Sequence, residues 1–108
     1  MSMFRSTENR GFQMTFANGY TISCQFGAGN YCDNYARKFA SDYRFQEELC
    51  KPIHSCANCE VAIFRNGCKG TVTNEIIGSI GMEADDSGCM YCVTTDDVAK
   101  IIAHLMTL

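Results

Sequence analysis

The segment "GFQMTFANGYTISCQFG", residues 11–27, limits what this chain can fold into more than any other stretch. Phe12, Met14 and Phe16 alternate with polar residues, and Tyr20, Ile22, Cys24 and Phe26 alternate with Thr21, Ser23 and Gln25. A period of two marks strands with one buried face, and Asn18-Gly19 marks the reversal between them. A two-residue loop would set Phe16 opposite Thr21. A three-residue loop, Ala17-Asn18-Gly19, instead pairs Phe16 with Tyr20, Met14 with Ile22 and Phe12 with Cys24. Only this second register puts every apolar side chain on one face. The expected connection is therefore a type I turn closed by Gly19 in the left-handed region, a G1 bulge.

The C-terminal segment "VTTDDVAKIIAHLM" is the expected partner for that apolar face. Thr94 is placed as an N-cap with Asp97 three residues on, and Val93 and Val98 are placed as a hydrophobic staple. Asp96 and Asp97 sit where a helix dipole favours negative charge. Val98, Ile101, Ile102 and Leu105 make one stripe at helical spacing. Between hairpin and helix, "EVAIFRNG" reads as a strand with Val61 and Ile63 on one face, turning at Asn66-Gly67. "TVTNEIIGSIGM" reads as a further strand region broken at Gly78 or Gly81, "EADDSG" as an exposed turn and "MYCVTT" as a short final strand. Residues 30–50 are less regular. Tyr31, Tyr35, Phe39 and Tyr43 recur every four residues, which predicts a short helix over 33–40 and irregular chain to Cys59. The fold class is α+β: an antiparallel sheet led by an N-terminal β-hairpin, with the C-terminal helix packed on one face. At 108 residues, 1–108 is expected to be a single domain.

The net charge of −3 argues against a nucleic-acid partner. The acid is concentrated after residue 61, whereas Arg37 and Lys38 follow the Gly-rich stretch, so an anionic ligand is better placed near the latter. No run is long enough to cross a membrane. The N-terminus lacks the apolar stretch of a signal peptide. A cytoplasmic setting is therefore expected, with the eight cysteines reduced rather than paired in a disulfide framework.

Two constellations carry chemistry. Cys56-Ala-Asn-Cys59 and Cys89-Met-Tyr-Cys92 are CxxC pairs, and two such pairs can complete a tetrahedral structural zinc site. Their separation is just outside the usual zinc-ribbon range. His54, Cys50 and Cys68 are alternative ligands. The competing reading is that these are reduced, partly buried thiols acting as small apolar residues. A redox role is disfavoured because neither pair opens a helix. The second constellation is "GAGNYCDN". Gly27 and Gly29 follow a strand and could present backbone N–H groups to an anion. The third glycine and βαβ context of a dinucleotide fingerprint are missing. The simpler reading is a corner with glycine at positive φ and Asn30 or Asp33 capping. Beyond the glycines, Asn30, Tyr31, Asp33, Asn34, Tyr35 and Arg37 form a dense set of groups suited to a base, ribose or phosphate. Catalytic groupings are poor. His54 and Cys56 are two residues apart in a loop, His104 reads as a satisfied surface histidine, and adjacent aspartates fit a cap and a turn better than acid–base chemistry. No enzyme is expected and no cofactor is required.

The stretch "GFQMTFANGYTISCQFGAGNYCDN", followed by "EVAIF" and "TTDDVAKII", resembles a group of small accessory proteins of tailed bacteriophages. Their shared segment is F-x-N-G-aromatic-T-x-S-x-Q-aromatic-G-x-G-N-Y-C. The resemblance is dense over residues 11–34 and transfers no catalytic residues. The CxxC pairs depart from it. It implies a protein acting in the host cytoplasm by binding, inhibiting a host process such as antiviral defence. The partner would be a host protein or a small nucleotide-type signal. The edge strand or the hairpin is open to a second copy of the chain.

Overall fold

In a computed structural model, residues 2–8, 10–35 and 54–108 are described. Five antiparallel strands form one sheet in chain order: β1 Met3–Ser6, β2 Gly11–Thr15, β3 Tyr20–Gln25, β4 Asn58–Arg65 and β5 Cys89–Thr94. Two helices accompany them, α1 Thr73–Ile77 and α2 Thr95–Leu105.

The hairpin forms in the expected register, with Phe12 opposite Cys24 and Met14 opposite Ile22. Gly19 has φ of +90°. Its N–H donates to the Phe16 carbonyl at 3.0 Å, and the Phe16 N–H donates to Tyr20 at 2.8 Å. This is the bulged three-residue turn that the apolar alternation requires. At the other end of the pair Gly11 sits opposite Gln25. A Cβ there would collide with the Cys24 carbonyl, so only glycine permits that approach. The outer face carries the polar set, Thr15 hydrogen-bonded to Thr21 across the strands at 2.8 Å and Gln25 to Ser23 at 3.2 Å.

Ile22, Cys24, Cys59, Val61, Ile63, Met90 and Val93 face the core from the sheet, with Ile101 and Leu105 from α2. Ile101 and Leu105 are fully buried, each contributing roughly 1.5–3 kcal/mol of apolar burial. The Thr94 hydroxyl accepts from the Asp97 N–H at 3.2 Å, so the expected cap is made. The far end of α2 is tied to the hairpin, where Asn18 Nδ2 donates to the Leu105 carbonyl at 2.8 Å and to Leu108 at 3.2 Å.

Two expectations need correction. "TVTNEIIGSIGM" is not a strand but α1 followed by a 3₁₀ turn, Gly78–Ile80. Its β-branched composition suggests a strand, yet Thr73, Ile76 and Ile77 are the buried residues, at helical spacing. Beside it the Ile63 N–H donates to the Thr73 hydroxyl at 2.9 Å, and the Val72 N–H to the Ile63 carbonyl at 2.7 Å. These bonds occupy the part of β4 where another strand would pair. β1 was not anticipated: it is a four-residue, exposed strand whose sequence, MFRS, shows no alternation. Of the expected helix at 33–40, the described part, residues 33–35, forms a turn. The remainder, with the irregular chain expected up to Ile53, lies outside the described residues.

Candidate functional site: a tyrosine face and a thiol-lined cavity

β3 runs into the loop of residues 26–35, which folds on itself. The Asn30 side chain accepts from the Gly27 N–H at 3.0 Å, and the Asn30 N–H donates back to the Gly27 carbonyl at 3.1 Å. Asn34 Nδ2 bridges the carbonyls of Phe26 and Ser55 at 2.7 and 2.9 Å. The Tyr31 N–H donates to the Glu60 carboxylate at 3.1 Å and the Asp33 N–H to the Asn58 side chain at 2.8 Å. Of the backbone N–H groups expected to meet an anion, Gly27 to Asn30, those of Gly27 and Asn30 are therefore engaged internally, as are the N–H groups of Tyr31 and Asp33 beyond them. Gly27 does not take a positive φ. It lies against the Arg10 side chain, which a Cβ would approach to 2.7 Å. The Gly-rich stretch thus closes a corner, while its polar side chains, Asn30 and Asn34, serve the loop itself.

What the loop presents outward is aromatic. Tyr31 stacks on Tyr35 with ring centroids 5.1 Å apart, and the Tyr91 ring centroid lies 4.6 Å from that of Tyr31. All three rings are close to half exposed. Tyr91 is delivered by a bulge. Between the pairs Cys59–Val93 and Val61–Met90, β4 has one residue and β5 has two, Tyr91 and Cys92. Cys92 takes a φ of +51°, unusual for a residue with a side chain. Such a bulge re-aims its side chains and twists the strand. The Cys92 N–H then donates to the Tyr31 carbonyl at 3.1 Å, locking loop to strand. The Tyr91 hydroxyl donates to Asp85, whose carboxylate also accepts from Ser87 and from the Cys89 N–H. The Ser87 and Tyr91 bonds hold Asp85 down at about 2, and Asp85 pushes the Tyr91 hydroxyl up to about 12.

The cysteines expected to gather around zinc are divided. Cys59 points into the core toward Cys24, while Cys89 lies opposite Ala62 farther along β5. Cys56 and Cys92 are neighbours of Cys32, whose thiol is pushed up to about 11, chiefly by burial. Among the described residues no three His, Cys, Asp or Glu side chains form a group that could hold a metal ion. Of the alternatives, Cys68 is exposed and bonded by Arg65 Nε at 3.3 Å, and Cys50 lies outside the described residues, as does Arg37. His104 Nε2 is hydrogen-bonded to the Ser79 hydroxyl at 3.0 Å, a satisfied surface histidine.

A cavity of about 320 Å³ lies on the core side of β3 and β4. Phe12, Phe26, Val93 and Val98 form its apolar wall, and Cys24, Cys56, Cys59 and His54 also line it. The thiols of Cys24 and Cys59 are neighbours, and their interaction lowers Cys59 against the opposing effect of burial and raises Cys24. The Nε2 atom of His54 is buried with no hydrogen-bond partner.

The chain matches no family model, no curated protein and no solved structure. The site therefore rests on its own geometry. Sequence reading placed Tyr31 and Tyr35 in it and missed Tyr91, because nothing in "CMYCVTT" announces a bulge. It placed Cys24 with Ile22 on the apolar face, as observed, but gave its thiol no part in a site.

Proposed function

We propose that this protein is a non-enzymatic binding protein of the phage accessory kind, which inhibits a host process by holding its target on the face formed by Tyr31, Tyr35 and Tyr91. The observation that carries this reading is the tyrosine cluster itself: three partly exposed rings, Tyr31 in contact with both of the others, each backbone or hydroxyl fixed from behind. Tyrosines supply a large contact area at low entropic cost, and fixing them in advance reduces that cost further.

A planar base is one natural occupant, stacking on Tyr31 or Tyr35. Since the N–H groups of Gly27 and Asn30 are engaged within the loop, a nucleotide-type signal would be held mainly through its base. The resemblance to phage accessory proteins supports stoichiometric inhibition over turnover, as an analogy of family rather than of site. The experiment is a thermal-shift panel of cyclic and ADP-ribose-type nucleotides, run beside affinity capture of host proteins with parent and Tyr31→Ala protein. A shift with one nucleotide, or a host protein captured by the parent alone, supports the reading. No shift together with identical capture by both proteins overturns it.

A further inference from the structure

We propose that Cys24 and Cys59 form a two-coordinate site for a soft monovalent cation, copper(I), in the wall of the apolar cavity. The strand register places the two thiols. The Ile63 N–H and carbonyl bond Thr73 and Val72, so neither bonds β3. The pair Ile22–Ile63 is therefore a close, non-hydrogen-bonded pair, and so is Cys24–Val61 two residues along. Cys59, two residues before Val61, is the diagonal neighbour of Cys24 on the same face. Diagonal partners have Cα atoms about 7–8 Å apart. That exceeds the roughly 4.4–6.8 Å which a disulfide spans. Two metal–sulfur bonds no longer than the zinc–thiolate length of about 2.3 Å, laid end to end, separate the sulfurs by up to about 4.6 Å, a span that suits a diagonal pair.

The surroundings select the ion. Cys24 is 2% exposed and Cys59 7%, and both open onto the cavity, which gives a small ion its approach. Thiolates prefer soft cations. Zinc needs four donors, and among the described residues no group of three converges. Binding replaces two S–H protons with one Cu⁺: two thiols and the cation give a bis-thiolate complex of charge −1 and two released protons, with no change of oxidation state. The buried, unpartnered Nε2 of His54 lines the same cavity and, carrying its proton, can donate to that negative complex.

The test titrates the full chain anaerobically with copper(I) against the competing chelator bicinchoninate. The expected result is one tightly held equivalent, weakened at least a hundredfold in Cys24→Ala and in Cys59→Ala and unchanged in Cys68→Ala. X-ray absorption of the copper-loaded parent, which needs no variant to fold, should count two sulfur ligands and no others at bonding distance. Unchanged affinity in either core variant, or a shell of three or more ligands, overturns the proposal.

Discussion

The rings of Tyr31 and Tyr91 meet at 4.6 Å although one belongs to a loop and the other to the last strand. The bond from the Cys92 N–H to the Tyr31 carbonyl holds them together. If this face is the recognition surface, Tyr31→Ala and Tyr91→Ala should each weaken binding of whichever ligand or host protein the parent captures by at least tenfold. Far-ultraviolet circular dichroism should be unchanged. Retained affinity in both variants would remove the tyrosines from the site.

Asp85 and Tyr91 should leave a pH signature. Tyr91, pushed up to about 12, should give a tyrosinate absorbance step well above that of an ordinary tyrosine. Asp85→Asn should bring that step back toward the usual range. On the acid side, Asp85 is held down at about 2 against a reference of 3.8. The folded state thus binds its proton less readily than the unfolded chain. Its stabilising contribution is complete above about pH 4 and is lost as pH falls toward 2. Thermal melts across that window should show a smaller loss in Asp85→Asn than in the parent.

Asn18 joins the hairpin turn to the last residue of α2 and to the chain just beyond it, through the backbone oxygens of Leu105 and Leu108. Asn18→Ala should cost about 1–2 kcal/mol. Asn18→Asp should cost at least as much, because a carboxylate cannot donate to a carbonyl. Urea denaturation measures both, and equal stability of Asn18→Ala and parent would show the tie to be unimportant.

Cys92 adopts a backbone conformation that a side chain disfavours. Cys92→Gly should be neutral or stabilising, by up to about 1 kcal/mol. Cys92→Val, with a β-branched side chain at the same φ, should destabilise the fold. The reverse order of midpoints in urea would contradict the bulge geometry.

The division of the CxxC thiols predicts that folding does not depend on zinc. Dialysis against a strong chelator should leave the melting temperature unchanged, and elemental analysis should find the parent well below one zinc per chain. A structural site filled during folding would give the opposite result.

Much of the architecture was legible because it follows from one period. Met14 opposite Ile22 and Phe12 opposite Cys24 are consequences of alternation alone, and the Thr94 cap of a local motif. What escaped was decided by partners distant in sequence. Thr73 belongs to a helix, and its hydroxyl accepts from the edge of β4, which β-branched composition cannot reveal. Tyr91 joins the site because one extra residue in β5 turns it outward, and no local pattern marks that insertion. Asn30 looked like a ligand-binding group in the sequence, yet its side chain closes its own loop. A polar residue's chemistry does not say which partner it will find.

The Thr73 hydroxyl has one more consequence. A sheet can recruit another strand only along an edge whose N–H and carbonyl groups are free. On the β5 side the Ile63 groups are taken by Thr73 and Val72, the Cys92 N–H by Tyr31 and the Cys89 carbonyl by Asp85. Among the described residues that border is sealed by the protein's own turns. Among the described residues the opposite border, Met3–Ser6, carries no such cover, and Phe4 stands 78% exposed upon it. Among the described residues, growth of this sheet by strand addition has one direction available to it, outward from β1, and the tyrosine face beside β5 stays clear of any such assembly.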